Sequence, residues 1–220
     1  MTIGVMGALE EEVQIITDRM VVSGAEEHVG RTFYRGNLAG HKVVVVHSGI
    51  GKVRAAARSQ FLIEHFAVDR LVFIGVAGAL NPELTVGDIV VSDYALQWDF
   101  RSVSTDPPGY QADPALVDLA VKAAERLGYK VRVGSVLTGD RPVVKFERKQ
   151  ELWRTFNGQC VEMEGAAVAQ VCFMNEVPFV LIRAISDLAE EGALQDFLQS
   201  FARVALLPGE MVLEMLKELG

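Results

Sequence analysis

Short apolar runs that end in glycine or in a charged residue recur along the whole chain, and helical stretches separate them. Residues 3–7, 43–46, 71–76, 86–93, 131–137 and 178–187 are such runs, rich in valine, isoleucine and leucine. Runs of that length with apolar residues on both faces read as strands buried on both sides. Between them, residues 10–20, 52–66, 114–127, 146–156 and 166–174 take up helical spacing. The alternation continues without a linker, a repeat or a low-complexity segment. It predicts one α/β domain over residues 1–220, with a central mixed, mostly parallel sheet flanked by helices. Residues 32–38 and 41–47 form two further strands joined at Ala39-Gly40. Residues 98–110, rich in turn formers, read as an exposed loop, with Trp98 and Phe100 either packed on their own chain or held for an interface. The C-terminal stretch 194–219 reads as a helix broken or kinked at Pro208-Gly209.

Composition narrows the class. With 220 residues, half of them hydrophobic, the chain fills one core without needing a second. A net charge of −8 argues against a nucleic-acid groove and an anionic membrane surface. No apolar run reaches membrane length, and Glu10-Glu11-Glu12 ends the apolar N-terminus too early for a signal peptide. Cys160 and Cys172 lie in apolar contexts and read as buried thiols of a reducing, cytoplasmic compartment.

Several chemistries are absent. His28, His41, His47 and His65 show no metal-ligand spacing, and two distant cysteines make no zinc site. There is no Gly-x-Ser-x-Gly elbow and no Gly-x-Gly-x-x-Gly turn, so no cofactor is implied. Carboxylates at strand ends remain, where α/β proteins bind ligands. Glu162 and Glu164 flank Met163 where a strand gives way to an Ala-rich helix, whose N-terminal N–H groups favour their ionised form. A helix-capping pair is the alternative reading of the same residues. Glu10, Glu11 and Glu12 suit a helix's first turn for its dipole alone, and nothing local chooses among them. Arg183, Ser186 and Asp187 end the next strand. Ser48-Gly49-Ile50-Gly51 is a tight turn or a close approach to a ligand, and Arg54 and Arg58 beyond it read as solvated charges. Two carboxyl groups in different environments suffice to cleave a glycosidic bond.

Taken in order, Ile3-Gly4-Val5-Met6-Gly7-Ala8-Leu9-Glu10-Glu11-Glu12-Val13, Ser48-Gly49-Ile50-Gly51-Lys52-Val53, Val86-Gly87-Asp88-Ile89-Val90-Val91-Ser92-Asp93, Val161-Glu162-Met163-Glu164 and Arg183-Ala184-Ile185-Ser186-Asp187 resemble the bacterial 5′-methylthioadenosine/S-adenosylhomocysteine nucleosidases of the nucleoside phosphorylase superfamily. The resemblance implies a nucleoside phosphorylase-like fold, a small-molecule nucleoside substrate and a homodimer. It implies Asp187 as the acid that protonates adenine N7, helped by Ser186. Glu12 is then the base for water, which Arg183 helps position. Glu164 binds the ribose hydroxyls, Met163 lies against the sugar, and the main chain near Val143 reads the purine edge. Leu9, Ile50, Val76, Ala77, Gly78, Glu162 and Phe197 complete the expected substrate site, Phe197 closing on an apolar 5′ group. Three departures stand out: Val76 replaces a common serine, Arg141-Pro142 replaces an aromatic over the base, and the loop from Phe100 to Tyr110 is short. The last two make futalosine or aminofutalosine the next substrate class, with a phosphorylase third.

Overall fold

The structure is a computed structural model that describes residues 1–100 and 108–219. Its sheet is built around β1 (Thr2–Gly7), which pairs in parallel with β4 (His41–His47) on one side and β5 (Arg70–Ala79) on the other. Beyond β5 lies β10 (Phe179–Asp187), also parallel. In β4 the side chains of Val43 and Val45 join the core on one face and Val44 and Val46 that on the other. The continuous apolar run thus reflects a strand buried on both sides. One face is covered by α1 (Glu10–Arg19), α3 (Pro114–Leu127) and α7 (Leu207–Glu218), the other by α2 (Lys52–Phe66) and α5 (Gly165–Met174). Asp113 caps α3 by accepting the Leu116 N–H at 2.9 Å, and Pro114 occupies the first turn, where its missing N–H costs nothing.

The sheet also closes on itself. β10 pairs antiparallel with β6 (Ile89–Gln97), which runs parallel to β8 (Val131–Thr138), and β8 to β9 (Cys160–Glu162). β9 returns antiparallel to β5 at Gly78 and Ala79. Five strands therefore form a ring at the end where the strand termini carry their charged residues. The remaining helices are α4 (Phe146–Phe156) and α6 (Ala193–Val204).

Four expectations need correction. β2 (Val21–His28) has no counterpart in the sequence reading. Among the described residues it is an edge strand paired only with β3 (Arg31–Leu38), its valines 21 and 22 are exposed, and it shows no buried alternation. Gly109–Gln111 forms β7 against β6 rather than loop, and Tyr110 is buried there; the expected loop's residues 101–107 lie outside the described residues. The C-terminal break falls at residues 205–206, not at Pro208-Gly209, which lie in the first turn of α7. A Cβ at Gly209 would collide with the Ile15 side chain, so glycine there lets α7 pack against α1. Arg58 is 8% exposed, not solvated. Its guanidinium donates to the Ser48 carbonyl and, at 2.9 and 3.2 Å, to the carbonyl of Val29. Arg54 is exposed as expected.

Candidate active site

A cleft opens where β1, β5, β9 and β10 end together. Glu12, one turn into α1, is 2% exposed. Its Oε2 accepts the N–H groups of Ala8 at 2.7 Å and Leu9 at 2.8 Å, and its Oε1 accepts that of Val76 at 3.1 Å. Burial raises its pKa, and the Leu9 hydrogen bond and the Arg183 charge oppose that rise. Of the three acids in the first turn of α1, only Glu12 is directed inward; Glu10 and Glu11 are exposed.

Asp187 faces the cleft from the far side of the segment Val76-Ala77-Gly78. The register of β10 on β5 shifts between Ile185 and Asp187, and such a bulge re-aims a side chain. Asp187 Oδ2 accepts the Ser186 hydroxyl at 2.8 Å and Oδ1 the Ala189 N–H at 2.9 Å. Burial raises its pKa, and both hydrogen bonds pull the other way. Ser200 in turn donates to the Ser186 carbonyl at 2.6 Å.

Glu162 is saturated. It accepts the Thr138 hydroxyl, the N–H groups of Glu164 at 3.1 Å and Gly165 at 2.7 Å, and Arg183 Nη2 at 3.0 Å. Capping and charge pairing thus act on the same carboxylate, which fixes the turn that presents Met163 and Glu164. Glu164 departs from the expectation that both acids stay ionised. It is 6% exposed and, among the described residues, accepts the Gly51 N–H alone, at 2.6 Å. Burial, then the neighbouring Glu162 carboxylate, pushes its pKa up to about 8. Cys160 and Cys172 are free and buried, and burial pushes both thiols up, Cys172 to about 12, away from nucleophile chemistry.

Every expected site residue but one lines the cleft: Leu9 and Glu12, Ile50, Val76 through Gly78, Val143, Glu162 through Glu164, Ser186, Asp187 and Phe197. Arg183 is the exception. It is 1% exposed, stacks its guanidinium 4.3 Å from the Phe73 ring centroid, and donates to the carbonyls of Phe73 and Ile182. It therefore lies behind Glu162. Ala8 and Val161 also line the cleft, as do Arg141 and Pro142. Ala8 and Val161 carry no chemical signal in a sequence, since they contribute only surface. At the rim, Lys52 Nζ lies 2.8 Å from Asp99 and 3.4 Å from Asp140, and Asp99 accepts the Asp140 N–H at 2.7 Å. This holds the turn that leads to Val143. Trp98 is half-buried against the same turn, with Arg148 5.5 Å over its ring.

Glu12, buried, and Asp187, half-buried, thus stand at one apolar cleft, and two carboxyl groups in different environments suffice for the acid and base steps that cleave a glycosidic bond. Residues 2–217 match the family model of the phosphorylase superfamily, and the chain belongs to that superfamily. Within it, the chain is 39% identical over 230 residues to a 5′-methylthioadenosine/S-adenosylhomocysteine nucleosidase of Bacillus thuringiensis (strain Al Hakam), covering all of both chains. Its structure is similar to that of the nucleosidase of the same name from Neisseria meningitidis in complex with methylthio-immucillin-A. There the identity is 35%, the TM-score 0.96 and the coverage 99% of each chain. It is also similar to futalosine hydrolase of Helicobacter pylori strain 26695, at 30% identity and a TM-score of 0.95, covering 99% of this chain and 98% of that one.

Proposed function

We propose that this chain, acting as one domain over residues 1–220, hydrolyses the N-glycosidic bond of 5′-methylthioadenosine and S-adenosylhomocysteine, releasing adenine and the 5-thioribose product. The observation that carries the reading is the pair Glu12, buried, and Asp187, half-buried, separately held across Val76-Ala77-Gly78. Asp187, its pKa raised by burial, gives its proton to adenine N7. The bond between C1′ and N9 breaks and its electron pair leaves with the base. Water adds at C1′ and passes a proton to Glu12, whose pKa burial raises. Glu164 takes the ribose hydroxyls, Met163 packs on the sugar, and the main chain at Val143 meets the purine edge. Pro142 has no N–H to offer there. Leu9, Ile50 and Phe197 give the 5′ substituent an apolar wall. Arg183 is a positioning residue that acts through Glu162 and through its charge on Glu12.

Hydrolysis is favoured over phosphorolysis because the Glu12 carboxylate repels a phosphate dianion where the nucleophile must stand. A second reading keeps this chemistry on futalosine or aminofutalosine, and rests on the Arg141 cation at the cleft. Base release from methylthioadenosine, adenosylhomocysteine, adenosine, inosine and aminofutalosine, with and without phosphate, tests both. Adenine from the first two without phosphate is expected, and phosphate-dependent release would remove the role of Glu12.

We further propose a cytoplasmic homodimer. No helix among the described residues is long and apolar enough to cross a membrane. Val53 on α2 and Phe173 and Met174 on α5 are 84%, 57% and 72% exposed on helices that pack together, an apolar surface that a second copy would cover. Sedimentation at micromolar concentration should give a dimer; a monomer would overturn it.

A further inference from the structure

Glu26, His28 and His65 meet at the outer edge of the sheet. Glu26 and His28 are two apart on β2 and share a face, and His65 comes from the last turn of α2. Glu26 Oε2 lies 3.4 Å from His28 Nε2 and 3.5 Å from His65 Nε2, and one ligand atom from each residue falls within 4.8 Å of the other two. Ligand atoms on a tetrahedral zinc ion stand about 3.3 Å apart. Two of the three edges thus already have coordination spacing. Spacing among the histidines along the chain gave no such set, because its members are a strand pair and a helix end distant in sequence.

The rings are held for the purpose. Phe61 packs on both imidazoles with centroids 4.7 Å away, and the two imidazoles are 4.9 Å apart. Arg35 Nε lies 3.2 Å from Glu26 Oε1, which turns the other oxygen to the histidines. Its charge also opposes a cation, so affinity is set below that of a closed structural site. The side chains of His28, Glu26 and His65 are 35%, 32% and 44% exposed, which leaves a way in and room for a water as fourth ligand.

We propose that Glu26, His28 and His65 form a three-ligand site for a divalent transition cation, zinc foremost, that clips β2 to the end of α2. Two imidazoles and one carboxylate suit zinc, whereas calcium and magnesium take oxygen ligands. The ion acts as a staple, independent of the cleft, and stabilises the fold by mass action.

The test is titration of the metal-stripped full chain with zinc chloride by calorimetry, and with cobalt(II) by visible absorption. One equivalent should bind, cobalt should give the intense bands of a four-coordinate ion, and zinc should raise the melting temperature. His28→Ala and His65→Ala should each weaken binding at least about tenfold, with circular dichroism verifying the fold, while His47→Gln should not. Arg35→Gln should tighten binding several-fold, which a plain ion-pair cluster does not predict. No saturable single equivalent, or binding indifferent to both histidine substitutions, would overturn the site.

Discussion

A Cβ built on Gly75 would stand 2.7 Å from Glu12 Oε1, so these two residues share one space. The backbone of β5 comes close enough to a buried carboxylate that only glycine fits beside it, and the next N–H, from Val76, holds that carboxylate. Gly75→Ala should therefore displace Glu12 rather than merely perturb the strand. The expected outcome is a fall in kcat of about tenfold or more, in line with a misplaced catalytic group, with a smaller change in KM. Steady-state kinetics on methylthioadenosine decides it; an unchanged kcat would mean that Glu12 is not needed where it lies.

Asp187→Asn keeps the shape and, through its one carbonyl oxygen, the bond from the Ala189 N–H, while its amide N–H can only donate toward Ser186, and it removes the proton. Loss of a general acid costs on the order of 10²–10⁴-fold. We expect kcat to fall by that order while nucleoside affinity, measured by calorimetry, changes little. Wild-type turnover in the variant would remove Asp187 from the acid's role.

Most of this site was legible because its chemistry lies at strand ends, where an apolar run meeting an acid is a visible discontinuity. Glu164 and Asp187 stand out in that way, and buried runs such as Val43 to Val46 announce strands covered on both faces. The closure of β5, β10, β6, β8 and β9 into a ring was not legible, since pairing between strands distant in sequence leaves no local pattern. Arg183 lies one layer behind the cleft, which is not readable for a related reason. Its position at a strand end is readable, but whether it turns toward ligand or toward Glu162 depends on neighbours that only folding supplies. β2 escaped notice because an exposed edge strand need not alternate.

Arg58 and Arg54 lie one helical turn apart on α2, yet only Arg58 is buried. Arg58 supplies donors to the carbonyls of Val29 and Ser48 and so joins the turn between β2 and β3 to the entrance of α2. Arg58→Ala should leave both without these donors and cost about 2–3 kcal/mol, whereas Arg54→Ala should stay within about 0.5 kcal/mol. Urea denaturation of the two variants provides the comparison, and equal effects would contradict the burial of Arg58.

Glu164 makes the empty site pH-sensitive in a direction opposite to that of a salt-bridged acid. Its folded pKa, about 8, lies above the ordinary carboxylate value of 4.5. Below 4.5 it is protonated in both folded and unfolded chains, and folding carries no penalty from its charge. Between 4.5 and 8 the folded chain binds more protons than the unfolded one, so stability falls as pH rises through that window. Glu12 and Asp187, raised by burial as well, add in the same sense. The melting temperature of the ligand-free protein should therefore drop between pH 6 and pH 9. Glu164→Gln, neutral throughout, should flatten that slope and melt higher than the wild type at pH 9. Scanning calorimetry across this range settles the point: parallel curves for the two proteins would mean that Glu164 is already ionised in the folded chain at neutral pH, and that its hydrogen bond from Gly51 outweighs burial.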